Sequence, residues 1–177
     1  MSAAQSRVTG MGGHHSARAQ KDEWLTPPEI TQALGPFDLD PCSPINRPWA
    51  TAQRHLTIED DGLASQWLPW EFVWCNPPYG RETWKWLAKL ADHPAGGIAL
   101  IFARTETSGF CAEVWDKADA IFFFDQRLFF HHVDGTRASA NCGAPSCLVA
   151  YGAEAVRRLS RYERAGSLVT RWRRAAA

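Results

Sequence analysis

Four consecutive residues, Asn76, Pro77, Pro78 and Tyr79, have the types and the order needed to activate an amino group. An exocyclic amine on an aromatic ring is a poor nucleophile, because its lone pair is delocalised into the ring. Two acceptors that bind its N–H groups localise the lone pair, and the Asn76 side-chain carbonyl and the Pro77 backbone carbonyl can supply them. The prolines fix the backbone so that both acceptors are preorganised. Tyr79 offers a ring face for stacking a base, which contributes roughly 1–3 kcal/mol.

The motif directly follows residues 72–75, a compact apolar run that predicts a buried strand. This position matters because ligands in open α/β sheets bind beyond the carboxyl ends of the strands. A rigid loop that merely ends a strand is the alternative interpretation of Asn-Pro-Pro. The buried strand before the motif and the aromatic residue after it favour the functional interpretation.

Strands and helices alternate along the rest of the chain. We predict helices over residues 27–34, 81–91, 110–117 and 153–164, and strands over residues 37–40, 72–75, 98–103, 120–130, 146–151 and 168–172. Thr26 is expected to cap the first helix, and a turn at Asp60, Asp61 and Gly62 to precede a short helical stretch that ends at Trp67. This order predicts an α/β fold with a doubly wound, mainly parallel sheet and an antiparallel edge.

The composition is that of a soluble globular protein, since 45% of the 177 residues are apolar and 21% are charged. Residues 1–21 contain almost no large apolar side chains and are predicted to be a disordered tail, followed by one domain over residues 22–177. The five cysteines form no C-x-x-C pair and are expected to be reduced thiols in a cytoplasmic protein. No segment reaches the roughly 20 apolar residues of a membrane helix, and the N-terminus lacks the apolar core of a signal peptide.

The formal net charge is zero, but the charges are unevenly distributed. Residues 153–177 hold seven Arg and two Glu, so this segment carries five excess positive charges and the rest of the chain is acidic by the same amount. Such asymmetry is typical of a basic face and an acidic pocket. A solvated, Arg-rich helix explains the same run equally well.

Several motifs occur in a fixed order. They are Asp22-Glu23-Trp24 with Thr26-Pro27-Pro28, Phe37-Asp38-Leu39-Asp40-Pro41-Cys42, Glu59-Asp60-Asp61-Gly62-Leu63 with Trp67, Trp74-Cys75-Asn76-Pro77-Pro78-Tyr79-Gly80, and Gln126-Arg127-Leu128-Phe129-Phe130. In these motifs the chain resembles the small phage-type DNA N6-adenine methyltransferases over about residues 22–151. The resemblance implies a Rossmann-like fold and the transfer of a methyl group from S-adenosylmethionine to the N6 of adenine in DNA, in the cytoplasm of a bacterial host cell.

The resemblance also implies which residues act. The catalytic residues are those of the Asn76–Tyr79 motif, and the cofactor-binding residues are Trp24, Thr26, Pro27, Asp40, Pro41, Asp60 and Asp61. Asp40 is implied to contact the methionine end of the cofactor, and the Asp60-Asp61 region its adenosine part, with the individual roles of these two aspartates left open. Taken singly, a strand-end cap explains Asp40 and a simple turn explains Asp60 and Asp61.

The chain departs from this class in its cofactor loop. The class commonly carries D-P-F-x-G-x-G, whereas here the sequence is Asp40-Pro41-Cys42-Ser43-Pro44, without a glycine. We therefore expect a different loop shape or a looser hold on the cofactor. No separate target-recognition domain is visible, which argues against strong sequence specificity.

Arginines supply the predicted contacts to nucleic acid. They are Arg127, Arg137, Arg157, Arg158 and Arg161, with Asn141 in the long loop of residues 131–145. An ordinary surface loop, or a surface ion pair for Arg127, is the alternative. A zinc site at His131, His132, Asp134, Cys142 and Cys147 fits no standard spacing, so no metal is expected.

The predicted reaction is a direct displacement that needs no strong base, because the amine loses its proton after the attack. A base inside a duplex is out of reach, so it must be flipped out or already unpaired. A methyltransferase acting on RNA or on a protein glutamine is one alternative function. A degenerate fold that only binds nucleic acid is another, and cofactor binding separates it from the enzymes.

Overall fold

Seven strands form one sheet in the computed structural model, which describes residues 23–172. The predicted disordered tail at residues 1–21 lies outside the described residues. The strands are β1 (Leu39–Asp40), β2 (Arg54–His55), β3 (Val73–Cys75), β4 (Gly97–Phe102), β5 (Ala120–Phe124), β6 (Ser146–Tyr151) and β7 (Gly166–Val169). Their order across the sheet is β2-β1-β3-β4-β6-β5-β7.

The sheet has a parallel half and an antiparallel half. Strands β2, β1, β3 and β4 are parallel, whereas β6 runs antiparallel to β4 and β5, and β7 antiparallel to β5. Strand β5 therefore points the same way as the parallel strands, and the carboxyl ends of β1 to β5 share one edge. This confirms the predicted α/β class and is consistent with a Rossmann-like methyltransferase fold.

Helices cover both faces of the sheet. They are α1 (Pro28–Leu34), α2 (Thr83–Ala91), α3 (Ser108–Phe110), which continues into a π-helical turn (Cys111–Trp115), and α4 (Ala153–Ser160). Because strand side chains alternate between faces, Val73 and Cys75 pack with α2 and α3, while Trp74 packs with α1 and α4. All three side chains are fully buried, which explains why this strand is apolar at every position.

Several predicted elements differ from those observed. The predicted strand over residues 120–130 ends at Phe124, and Leu128 and Phe130 are buried from a loop. The expected helical stretch after Gly62 is a series of turns, α4 ends at Ser160, and the last strand begins earlier, at Gly166. Thr26 is buried one residue before the observed cap, Pro27, so Pro28 is the first helical residue. Strand β2 was not predicted.

Candidate active site

Asn76 directly follows the carboxyl end of β3 and lies beneath the N-terminal segment that contains Trp24 and Leu25. Its Nδ2 donates to the backbone carbonyl of Trp24 at 3.5 Å, a long contact that still fixes which atom of the amide faces that carbonyl. The neighbouring Leu25 holds the segment in place through two backbone hydrogen bonds with His131, of 2.8 and 3.0 Å. The Asn76 Oδ1 atom is buried and has no hydrogen-bond partner within residues 23–172. It is therefore a preorganised acceptor with a free lone pair.

Aromatic rings build a pocket beside Asn76. The Tyr79 ring stacks on Phe102 with centroids 4.0 Å apart and planes 9° apart, and Phe130 meets it edge-on at 6.4 Å. The other lining residues are Trp24 and, from the loop before β6, Ala138, Ala140, Asn141, Cys142 and Gly143. Tyr79 keeps 39% of its surface exposed, so its ring is available to a planar group that enters the pocket.

The proline pair connects the pocket to helix α2. Pro77 is buried and Pro78 is exposed. The carbonyl of Pro78 accepts a hydrogen bond of 2.7 Å from the Thr83 hydroxyl, which in turn accepts one of 3.1 Å from the Gly80 backbone N–H. Thr83 is the first residue of α2, so the motif is fixed at one end by the buried strand and at the other by the helix.

Asp40 ends β1 as a buried carboxyl with only 3% of its surface exposed. Its oxygens accept hydrogen bonds from the Thr51 hydroxyl and from the backbone N–H of Cys42, the latter at 3.2 Å. Burial raises the pKa of Asp40 to about 6, although both hydrogen bonds and the charge of Arg47 act in the opposite direction. A cation placed next to this carboxyl would favour its ionised form.

The turn after β2 packs against the loop after β1. Gly62 is buried there, and a Cβ atom at this position would overlap the carbonyl oxygen of Pro41. Asp60 accepts hydrogen bonds from the Thr57 backbone and hydroxyl at 2.8 and 3.0 Å, and these contacts lower its pKa. Asp61 accepts from the Ala64 backbone at 3.2 Å. Both aspartates are exposed, so their outer surfaces still face solvent.

A family model for DNA N-6-adenine-methyltransferases, abbreviated Dam, matches residues 13–167. The chain belongs to the Dam family. Membership implies N6 methylation of adenine in DNA and makes the chain an adenine-specific DNA methyltransferase, which confirms the function predicted from the ordered motifs. Comparison with curated proteins and with solved structures found no match. Among the described residues, no helix is long and apolar enough to cross a membrane.

The arginines predicted to contact DNA fall into two groups in this Dam-family structure. Arg127 and Arg137 lie exposed near the pocket, where Arg127 donates to the Cys142 carbonyl at 3.3 Å and Arg137 lies over the Phe129 ring at 4.1 Å. The second group lies on or after α4, where Arg161 is exposed.

The other two arginines of α4 are engaged in contacts within the domain. Arg157 forms an ion pair with Glu154, and Arg158 bonds the same carboxylate at 2.5 Å. Arg158 also donates to the backbone carbonyls of Leu34 and Pro36 at 2.9 and 2.6 Å, which ties α4 to the end of α1. Its Nε and Nη1 atoms are therefore engaged within the fold, whereas Arg161 is exposed.

Four residues at the site were not identified as functional from the sequence. Phe102 ends β4 and stacks on Tyr79, and its place at the carboxyl end of a predicted strand was a usable signal. Thr51 binds Asp40 from a loop without periodic pattern, so nothing in the sequence marked it. Cys42 and Cys75 bring their sulfur atoms to 3.7 Å across the ends of β1 and β3.

Proposed function

We propose that this Dam-family chain uses S-adenosylmethionine to methylate the N6 of adenine in DNA, with Asn76 and Tyr79 as the residues that hold the target base. The observation that carries the proposal is the buried Oδ1 of Asn76, which has no hydrogen-bond partner within residues 23–172 and lies in the same motif as Tyr79, a residue that lines the aromatic pocket. An unsatisfied buried oxygen costs folding free energy, so its retention points to a ligand that completes it. The N6 amino group of adenine has the hydrogen to do so.

The base reaches the pocket outside the duplex and stacks on Tyr79. Asn76 Oδ1 and the Pro77 carbonyl accept the two N6 hydrogens, which localises the nitrogen lone pair and favours the positive charge that develops on nitrogen. S-adenosylmethionine, when bound, supplies an electrophilic methyl group on its sulfonium. A nitrogen–carbon bond forms while the sulfur–carbon bond breaks, and one N6 proton then passes to solvent. The rigid Pro77-Pro78 backbone holds the acceptors before reaction.

The cofactor would be held at the ends of β1 and β2 and under the N-terminal segment. Asp40 offers a buried carboxylate for the ammonium group of the methionine end, and its pKa near 6 fits a site that is completed by a cation. The segment of Trp24, Thr26 and Pro27 would cover the cofactor, which is supported by the hydrogen bond that Trp24 accepts from Asn76 at the end of the neighbouring β3. Pro41 and one of Asp60 and Asp61 complete the proposed set beside the tight contact at Gly62.

The deciding experiment incubates the purified protein and labelled S-adenosylmethionine with DNA, RNA or protein, followed by nucleoside and amino-acid analysis. We expect label in N6-methyladenine of DNA. Asn76→Ala should lose on the order of 10²–10³ in rate, the usual effect of removing one preorganised partner of a developing charge. Asn46→Ala is the matched control, because Asn46 is exposed in the loop after β1. Label confined to RNA or to glutamine, or a folded Asn76→Ala variant with near wild-type turnover, would overturn the proposal.

A further inference from the structure

Cys42 occupies the position where this chain lacks the expected glycine-rich loop. It lies two residues after Asp40, and its side chain is half-buried. Its backbone N–H donates to the Asp40 carboxylate at 3.2 Å, so its main chain is part of the anchor proposed for the cofactor. Its sulfur lies 3.7 Å from the sulfur of Cys75 at the end of β3, and its thiol also helps to lower the pKa of Asp40.

The same sulfur reaches the residue that would hold the target amine. Cys75 is fully buried and immediately precedes Asn76 in the chain. Burial and the neighbouring Cys75 raise the pKa of the Cys42 thiol well above its ordinary value, while the backbone N–H of Asn76 acts in the opposite direction because it lies against the sulfur. The thiol therefore stays protonated at neutral pH and interacts as a neutral, polarisable group.

We propose that Cys42 is a positioning residue that joins the cofactor side of the site to the amine-binding side. The backbone N–H of Cys42 bonds Asp40, and its sulfur contacts Cys75, the residue directly before Asn76. The distance between the methyl donor and the amine depends on the spacing of β1 and β3, which pair in parallel at Leu39 and Val73. A misplacement of about 1 Å at a reacting atom can cost on the order of 10²-fold in rate, so a contact that fixes this spacing affects turnover.

This inference rests on the proposed function, and it separates the two effects of removing the side chain. Cys42→Ala keeps the backbone N–H that bonds Asp40 but deletes the sulfur. The Cys42 thiol is the weakest of the groups that lower the pKa of Asp40. We therefore expect cofactor affinity to change little, while the end of β3 that carries Asn76 loses a contact. If Cys42 only fills space, Cys42→Ala should lower thermal stability without a separate effect on the Asn76 side of the site.

The test compares Cys42→Ala with Cys111→Ala, another half-buried cysteine that lies on the π-helical turn away from the site. In Cys42→Ala we expect exchange of the Asn76 amide hydrogen, followed by NMR, to accelerate by about fivefold, the effect of one modest hydrogen-bond-like contact. Cys111→Ala should leave this amide unchanged. The affinity for S-adenosylmethionine, measured by calorimetry, should stay within about threefold of wild type in both variants, because the backbone N–H of Cys42 that bonds the Asp40 carboxylate is retained.

Turnover on adenine-containing DNA provides the second measurement. We expect kcat of Cys42→Ala to fall by about tenfold with the KM for DNA within about threefold, as for a group that orients rather than binds. The double variant Cys42→Ala/Cys75→Ala should be no slower than the slower single variant, because each substitution removes the same contact, the one between the two sulfur atoms. Unchanged exchange at Asn76 overturns the inference, as does a kcat loss equal to that of Cys111→Ala. If exchange responds but wild type methylates no adenine, the proposed function fails and the link between the two sides stands.

Discussion

Asn76 combines low exposure with an unpaired amide oxygen, a combination that lowers folding stability. The unsatisfied group costs about 1–3 kcal/mol, and natural proteins retain such costs chiefly at functional sites. The structure adds this observation to the sequence motif, which predicted the acceptor role of Asn76 but could not reveal that its oxygen is buried. Burial depends on where the N-terminal segment crosses the motif, and residues 24 and 76 are far apart in the chain.

Removal of this side chain should therefore separate stability from activity. We predict that Asn76→Ala melts at the same temperature as wild type or higher, because the variant loses only a long hydrogen bond to Trp24 and no longer buries an unpaired oxygen. Differential scanning calorimetry on the variant and on Asn46→Ala checks this. A fall in melting temperature that accounts for the lost turnover would mean that Asn76 acts in folding.

Tyr79 should act through its ring. We predict that Tyr79→Ala weakens DNA binding and turnover together, whereas Tyr79→Phe and Tyr79→Trp are milder, because stacking needs an aromatic face and contributes roughly 1–3 kcal/mol per base. Fluorescence titration with DNA and steady-state kinetics measure both effects. Trp70→Ala is the control, since Trp70 is an exposed aromatic residue, with 71% of its surface accessible, located before β3 and away from the pocket. Equal losses in Tyr79→Phe and Tyr79→Ala would contradict a stacking role.

Asp40 predicts a pH dependence of cofactor binding. Its folded-state pKa of about 6 exceeds the ordinary value of 3.8, so its carboxyl is neutral below pH 6 in the free protein and ionised above it. We expect affinity for the cationic cofactor to rise as the pH increases through 6, and Asp40→Asn to remove this rise. The same shift stabilises the fold at low pH, and that stability is lost between about pH 4 and pH 6 as the unfolded state ionises first. Calorimetric titrations from pH 5 to pH 8 give the first effect, and a flat wild-type profile would exclude Asp40 as the anchor.

At the scale of the elements, the sequence correctly predicted the strands that are continuous apolar runs. Strands β3, β4 and β6 are buried on both faces and stand out as unbroken apolar segments. Strand β2 was missed because it is a polar pair, Arg54 and His55, which joins the sheet by backbone pairing with β1 and shows no apolar pattern. The end of β5 was misjudged because Leu128 and Phe130 continue the apolar pattern although their side chains pack from a loop.

The loop after β1 and the turn after β2 approach each other closely at Pro41 and Gly62, and a substitution at Gly62 tests this contact. We predict that Gly62→Ala destabilises the protein by about 1–3 kcal/mol, as other overpacked sites do, because the new Cβ would overlap the Pro41 carbonyl. A displaced Pro41 also moves Asp40, so cofactor affinity should fall. Gly143→Ala is the control for stability, since a Cβ there meets no atom of residues 23–172 within 4 Å. Chemical denaturation gives the free energy of unfolding of both variants. Equal values would show that the loops move apart at Gly62 without loss of stability.

At the scale of the whole molecule, the site is an assembly from five places along the chain. It joins the N-terminal segment, the ends of β1, β3 and β4, and the loop before β6 at one edge of the sheet. The alternation of strands and helices, with the Asn76–Tyr79 motif directly after a buried strand, predicted that edge, because ligands bind beyond the carboxyl ends of parallel strands. The contacts themselves were not predictable, since pairs such as Asn76 with Trp24 or Cys42 with Cys75 depend on loop paths that no local pattern encodes.

The arginines that were predicted to contact DNA differ in how far the fold engages them. Arg158 forms hydrogen bonds with Glu154 and with the end of α1. In contrast, Arg127, Arg137 and Arg161 are exposed and available to phosphates. We predict that Arg158→Ala lowers the melting temperature but leaves the salt dependence of DNA binding unchanged.

The triple variant Arg127→Gln/Arg137→Gln/Arg161→Gln should show the opposite pattern. Its melting temperature should stay near that of wild type, because these side chains are exposed, and its DNA affinity should fall. Binding measured at several salt concentrations should lose about 0.9 from the slope of log affinity against log salt for each phosphate contact removed, since fewer counterions are released. If the triple variant keeps the wild-type slope while Arg158→Ala loses slope at unchanged stability, then Arg158 and not the exposed arginines meets the DNA.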